Sequence, residues 1–322
     1  MAISKNILLC GFFGEGNLGD EAILQAICAN LPESIEPIIT SGYKQTFGKS
    51  IRRRGLLSWP SFLIAASKSP VTVFTGGILQ DWSWEGVTFF ANRIIATARM
   101  GSMPVLFGAG IGPLRSEKAR KAVKKALSYV KTAYVRDQAS YDLYRSLMPE
   151  ADVKLGTDWT WHFQLPGKDL EAKTPLIAVN LRQWGQQKII DDAIMQINSF
   201  EGTKIGLAAR KGDIKLLEGI QDMTKVSCPP DFISFAKACN DCTHGVAMRY
   251  HAALAMLRSG LKTKLVCYDD KVKYLADSIG AIQNKNGISF DFNAPPDNFF
   301  ETNSKLFERM KISFIDLIKS LY

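Results

Sequence analysis

The stretch from Gly11 to Leu24, GFFGEGNLGDEAIL, follows the apolar run Ile7-Leu8-Leu9-Cys10 and places Gly14, Gly16 and Gly19 at the spacing G-x-G-x-x-G. An apolar strand, a glycine-rich turn and a helical pattern, in that order, open a Rossmann-like unit. The same order recurs. Strand patterns fall at 7–12, 37–40, 71–74, 105–107, 132–135, 176–180, 203–208, 242–248 and 264–267. Helical patterns fall at 20–31, 116–129, 138–147, 188–200, 214–224, 251–259 and 271–278. Such alternation predicts an α/β chain with parallel sheets. A polar connection with Pro166, Gly167, Lys168, Asp169 and Pro175 separates the first five strands from the rest. Residues 1–166 therefore read as one Rossmann-like domain and 175–322 as a second, the closing helical segment 304–322 crossing back onto the first.

The opening glycines invite a dinucleotide reading, but their surroundings oppose it. A Rossmann nucleotide site needs an acid at the end of the second strand to hold the ribose, and IITSGY offers none. Asp20 and Glu21 at the helix start complement the helix dipole and repel a pyrophosphate. A phosphate-cradling P-loop is excluded, since no Gly-Lys-Ser/Thr follows.

Forty basic and thirty-one acidic residues give a net charge of +9, which suits anionic ligands without choosing among them. Part of the excess lies in Lys44, Lys49, Arg52, Arg53 and Arg54, ahead of the apolar GLLSWPSFLI. A solvated basic loop and a contact with phospholipid both fit. The N-terminus lacks a signal peptide's apolar core, and no apolar run approaches the about 18 residues of a membrane span. The expected location is cytoplasmic, at the inner membrane face if lipid is touched. Cysteines at 10, 28, 228, 239, 242 and 267 read as reduced thiols. Cys239-x-x-Cys242 lacks a second ligand pair, so no metal is expected.

Unusual loops follow nearly every strand pattern. In the first half they carry glycine: Gly76 and Gly77 with Gln80 and Asp81, then Gly108, Gly110 and Gly112, then Arg136 and Asp137. In the second half they are cationic: Arg182 and Trp184, Arg210 and Lys211, then Arg249, Tyr250 and His251. One half thus suits a small dense anion, and the other lets an extended substrate approach the backbone. Asp137 fits a helix cap equally well. Arg249, between GVAM and AALAML, would be buried and would need an anionic partner.

Six motifs in order, GFFGEGNLGDEAIL, TGGILQD, GAGIGP, VRDQAS, MRYHAALAM and YDDKV, resemble those of the polysaccharide pyruvyl transferases, especially the bacterial type acting on lipid-linked cell-wall-polymer precursors. The resemblance implies two Rossmann-like domains facing across a cleft, GT-B-like, and transfer of pyruvyl from phosphoenolpyruvate, as donor substrate and without a cofactor, to two sugar hydroxyls. It implies phosphoenolpyruvate contacts at Arg182 and Arg249-Tyr250-His251, to which Arg210, Lys211 and Lys271 are added as helpers. His251 is the candidate general acid, and Asp20 or Asp81 a base. Gly14, Asn17, Asp20, Gly77, Gln80, Asp81 and Arg136 are the acceptor-side candidates. The expected partners are phosphoenolpyruvate and a sugar or lipid-diphosphate-linked saccharide, not nucleic acid. Thr75, Tyr250 and the TDWTW segment depart from the family pattern and bear on the acceptor. A nucleotide-sugar glycosyltransferase and a non-catalytic binding module on the same fold are the rival readings.

Overall fold

The computed structural model describes residues 6–82, 84–165, 175–289 and 291–322. The connection read at 166–174 lies outside them. Seven parallel strands form the first sheet: β1 (Asn6–Cys10), β2 (Glu36–Ser41), β3 (Lys49–Arg52), β4 (Val71–Ile78), β5 (Met103–Ile111), β6 (Thr132–Val135) and β7 (Val153–Leu155). Their spatial order is β3-β2-β1-β4-β5-β6-β7. The second sheet holds β8 (Leu176–Asn180), β9 (Thr203–Leu207), β10 (Met223–Ser227), β11 (His244–Ala247) and β12 (Lys262–Leu265), in the order β10-β9-β8-β11-β12 and all parallel. Both are doubly wound sheets with a reversal of strand order at the centre.

The helices are α1 (Leu18–Ala29), α2 (Ser58–Ser67), α3 (Trp84–Arg99), α4 (Glu117–Leu127), α5 (Gln138–Leu147), α6 (Gln187–Asn198), α7 (Ile214–Glu218), α8 (Phe232–Ala238), α9 (Tyr250–Arg258), α10 (Asp270–Ser278) and α11 (Asn298–Leu321). The pattern at 214–224 stops early as a helix, at Glu218, because Gly219 ends it and β10 begins at Met223. None of the described helices is long and apolar enough to cross a membrane.

Contacts divide the chain into two compact units. The first takes the chain up to Glu15, Ile23–His162 and Asn303–Tyr322; the second takes Gly16–Ala22 and Phe163–Thr302. Residues 16–22, read from the sequence with the N-terminal domain, thus belong to the second unit, where Leu18 N–H donates to the carbonyl of Ala209 at 3.0 Å.

In the first unit the central strands are buried on both faces, which is why they read as unbroken apolar runs. Leu8, Phe74 and Leu106 from the sheet meet Phe62, Phe90 and Val123 from the helices. Trp159 is fully buried, donates Nε1–H to the carbonyl of Phe107 at 2.9 Å, and meets Phe307 and Phe314 of α11 edge-on. Gly108 makes room for it: φ is +65°, and a Cβ there would lie 2.7 Å from Trp159 Cδ1. The TDWTW departure is therefore a core anchor in this chain. Trp159→Ala should destabilise the protein by about 3–5 kcal/mol, the usual range for a buried Trp→Ala. A denaturant midpoint unchanged by that substitution would contradict this packing.

Candidate functional site

The second unit gathers most of the cationic candidates. Strands β8 and β11 are neighbours, and their register pairs Asn180 with Ala247. Arg182 and Arg249 each stand two residues beyond that pair, at the carboxyl ends of the two strands where the order reverses. This is where open α/β sheets take ligands. Asn180, fully buried, ties three strand ends together: its Nδ2 donates to the carbonyl of Leu207 at 2.7 Å, and its Oδ1 accepts from Arg249 N–H at 3.1 Å.

The anionic partner expected for Arg249 is internal. Arg249 Nε and Nη2 donate to the two oxygens of Asp213, at 2.6 and 2.7 Å, and Asp213 is only 3% exposed. That pair uses the side-on edge of the guanidinium. The end-on edge, Nη1 with the second Nη2 hydrogen, is what an anion would meet. Arg249 is also the N-cap of α9 without forming a side-chain cap, and the first turn of α9 has no acid. The first amides of α9 therefore add positive potential beside the guanidinium.

Arg182 lies against two aromatic rings, 5.1 Å from the centroid of Trp184 and 5.4 Å from that of Tyr268. Its Nη1 donates to the Tyr268 hydroxyl at 3.3 Å, and its buried Nε has no hydrogen-bond partner among the described residues. Trp184 and Tyr268 meet edge to face at 4.8 Å, so the guanidinium is fixed by rings rather than by a carboxylate. Lys271 pairs with Asp269 at 3.2 Å, while Asp269 caps α10 by accepting from Val272 N–H. Arg210 and Lys211 are exposed in the turn that leads to Asp213. Tyr250 is buried and meets the His251 ring edge-on at 5.0 Å.

Gly19 joins this group. A Cβ on Gly19 would fall inside the His251 imidazole, so the absence of a side chain is what lets the start of α1 lie against that ring. Asn17 Nδ2 donates to the Asp20 carboxylate within the same segment, and Gly16 N–H donates to Glu21 at 3.2 Å. Asn17 and Asp20, both acceptor-side candidates, belong to the same compact unit as His251.

The remaining acceptor-side candidates lie in the first unit. Gly14 has φ +72° and lies against Ser41 and the Gly42 backbone, where a Cβ has no room. A Cβ on Gly77 would meet Gln80 Nε2 at 3.0 Å, and Gln80 accepts from Trp82 Nε1–H at 3.1 Å. Two candidates carry structural contacts. Asp81 Oδ2 accepts from Arg115 N–H, Ser116 N–H and the Ser116 hydroxyl, which fixes the turn before α4. Arg136 is 5% exposed, lies between Asp137 and Asp158 at 3.3 and 3.6 Å, and explains Gly110, whose Cβ would meet its Nη2 at 2.5 Å. Asp137 caps α5 by accepting from Ser140 N–H.

Thiols near the cationic loops are poor nucleophiles. Burial pushes Cys267 up to about 12, and burial followed by the Asp213 carboxylate raises Cys228. Cys239 and Cys242 are buried, and among the described residues no group of three or more His, Cys, Asp or Glu could hold a metal ion. Cys10 and Cys28 are likewise pushed up to about 12 by burial. At pH 8 the alkylation of Cys10, Cys28 and Cys267 should be roughly a thousandfold slower in the native protein than in denatured protein, because only the thiolate reacts. Equal rates by peptide mass spectrometry would contradict the burial.

A family model for polysaccharide pyruvyl transferase matches residues 17–255. No curated protein matches the sequence. Among solved structures, the UDP-GlcNAc 2-epimerase of Methanocaldococcus jannaschii in complex with UDP-GlcNAc and UDP is similar at TM-score 0.53 and 11% identity, over 95% of this chain and 92% of that one. MnaA of S. aureus, solved with UDP, is similar at TM-score 0.52 and 9% identity, over 80% and 78%. Phytolacca americana UGT2, complexed with UDP-2fluoro-glucose and pterostilbene, is similar at TM-score 0.52 and 7% identity, over 97% and 95%. At such identities the likeness shows the fold alone, two Rossmann-like units of the GT-B kind.

Proposed function

Because the chain belongs to the polysaccharide pyruvyl transferase family, we propose that it transfers pyruvyl from phosphoenolpyruvate to two hydroxyls of one sugar in a lipid-diphosphate-linked saccharide, working from the cytoplasm at the membrane face. One observation carries the donor assignment: Arg182 and Arg249 issue at the same level from the adjacent strands β8 and β11, beside the N-terminus of α9. Phosphoenolpyruvate presents a carboxylate and a phosphate on one small frame, and two guanidinium groups with helix amides suit that charge.

The chemistry balances without an external reagent. His251 delivers a proton to the methylene carbon, and the central carbon becomes electrophilic. A sugar hydroxyl attacks that carbon, forming a C–O bond and returning its proton to His251. The C–O bond to phosphate breaks, the second hydroxyl closes the ketal, and its proton leaves on phosphate by way of a base. Asp20, held by Asn17 in the segment that lies against His251, is the base assigned here. Net, phosphoenolpyruvate and a diol give a pyruvate ketal and hydrogen phosphate.

The test is incubation with phosphoenolpyruvate and a panel of sugar-diphospho-lipids, following phosphate release and product mass. Release only with an acceptor, and one added pyruvyl ketal, is the expected result. Acceptor-dependent release of UDP from a UDP-sugar, with phosphoenolpyruvate untouched, would overturn it in favour of glycosyl transfer.

A further inference from the structure

Within the first unit, the basic stretch before GLLSWPSFLI is not a uniformly solvated loop. Arg53 is 3% exposed, is paired with Glu15, and lies over the Phe12 ring at 5.2 Å. Arg93 of α3 is 6% exposed and sits 3.7 Å from the Phe89 centroid and 5.2 Å from that of Trp59. It donates to the carbonyls of Phe89 and Arg53, while its Nε has no hydrogen-bond partner among the described residues. Arg53, Arg54, Trp59 and Arg93 line a cleft of about 500 Å³, which carries one acid, Glu85.

Beside that cleft the chain holds apolar side chains out in water. Leu56 is 100% exposed and Leu57 72% exposed, with Trp59 at 39%. Leu57 stands at the N-cap of α2 where a polar side chain is usual, and the first turn of α2 has no acid. Lys49, Arg52 and Arg54 are exposed around it. An apolar tip with an interfacial Trp, an uncompensated helix N-terminus and flanking cations is the chemistry that an anionic lipid surface recognises. A second copy of this chain fits less well, because a two-fold contact through the tip would bring the same cations together.

We propose that this surface docks the protein on an anionic membrane leaflet: Leu56 and Leu57 enter the acyl boundary, and Arg54 with the cleft behind it receives a lipid phosphate. The need for such docking rests on the lipid-linked acceptor proposed above, but its test requires no turnover. The full chain is mixed with vesicles of phosphatidylcholine alone or of phosphatidylcholine with phosphatidylglycerol, and bound protein is sedimented. Binding is expected only to the anionic vesicles and should weaken with salt. It should fall at least about tenfold in Leu56→Ser/Leu57→Ser and in Arg54→Glu, with circular dichroism and melting unchanged. Phosphate release on a water-soluble acceptor should be unaffected by these substitutions, so failure of the reaction and failure of docking are separable. Absence of anionic-vesicle binding, equal binding to both vesicle types, or undiminished binding by the double serine variant would overturn the proposal. Loss of an oligomer in that variant by sedimentation velocity would reassign the tip to self-association and also overturn it.

Discussion

Arg249→Ala is expected to do two kinds of damage, to stability and to donor binding, and the Asp213 pair makes them separable. Removing the guanidinium leaves the buried Asp213 carboxylate unpaired, a loss of about 3–5 kcal/mol. Removing the donor contact should raise the KM for phosphoenolpyruvate by roughly a hundredfold, since truncating one partner of a hydrogen-bonded charge pair costs about 2–5 kcal/mol. The double substitution Arg249→Met/Asp213→Leu places apolar side chains of similar bulk where the pair stood. It should recover much of the melting temperature, as replacement of buried ion pairs commonly does. It should recover no use of phosphoenolpyruvate. If the double variant regains activity along with stability, Arg249 serves only the fold and the donor site lies elsewhere. Asp213→Asn gives a milder check, keeping a hydrogen-bond acceptor and removing the charge that opposes a bound trianion.

These outcomes turn on residues that differ in how visible they were in the sequence. Arg182 and Arg249 could be found because each follows an apolar strand pattern directly, and strand ends are where parallel sheets expose loops. Asp213, Asn180 and Tyr268 could not, because their roles depend on β9, β8, β11 and β12 being neighbours, and strand order is not written in local periodicity. Arg249 did carry a signal, since a guanidinium between GVAM and AALAML requires a carboxylate, but not which one. The central strands were legible as apolar runs. The edge strands β3, KSIR, and β10, MTKVS, were not, because their exposed residues break the apolar pattern on which strand reading relies. The three-residue β7 is too short to register any period. Among the acceptor-side candidates, Asp81 and Arg136 look available in a loop sequence, and only the structure reveals the amides and carboxylates that engage them.

Gly19→Ala is the sharper test of the opening motif. In a dinucleotide site a glycine at this place serves the packing of helix on strand. Here its missing Cβ is filled by the His251 imidazole, so a single methyl group must displace that ring or the start of α1. The three atoms nearest that methyl group all belong to His251, and none to Arg182 or Arg249, the proposed donor residues. Gly19→Ala should therefore lower kcat by about 10²–10⁴, the usual contribution of a positioned general acid, with a much smaller change in KM for phosphoenolpyruvate. Gly16→Ala is the control: among the described residues no atom beyond its own chain neighbours lies within 4 Å of a Cβ there, so the expected effect is the strain of φ +65°. Combining Gly19→Ala with His251→Ala discriminates further. If Gly19 acts through the ring, the double variant should be no slower than His251→Ala alone, because the group being displaced is already gone. Additive losses would instead mean that Gly19 serves the backbone at the start of α1 and that His251 acts without needing the glycine.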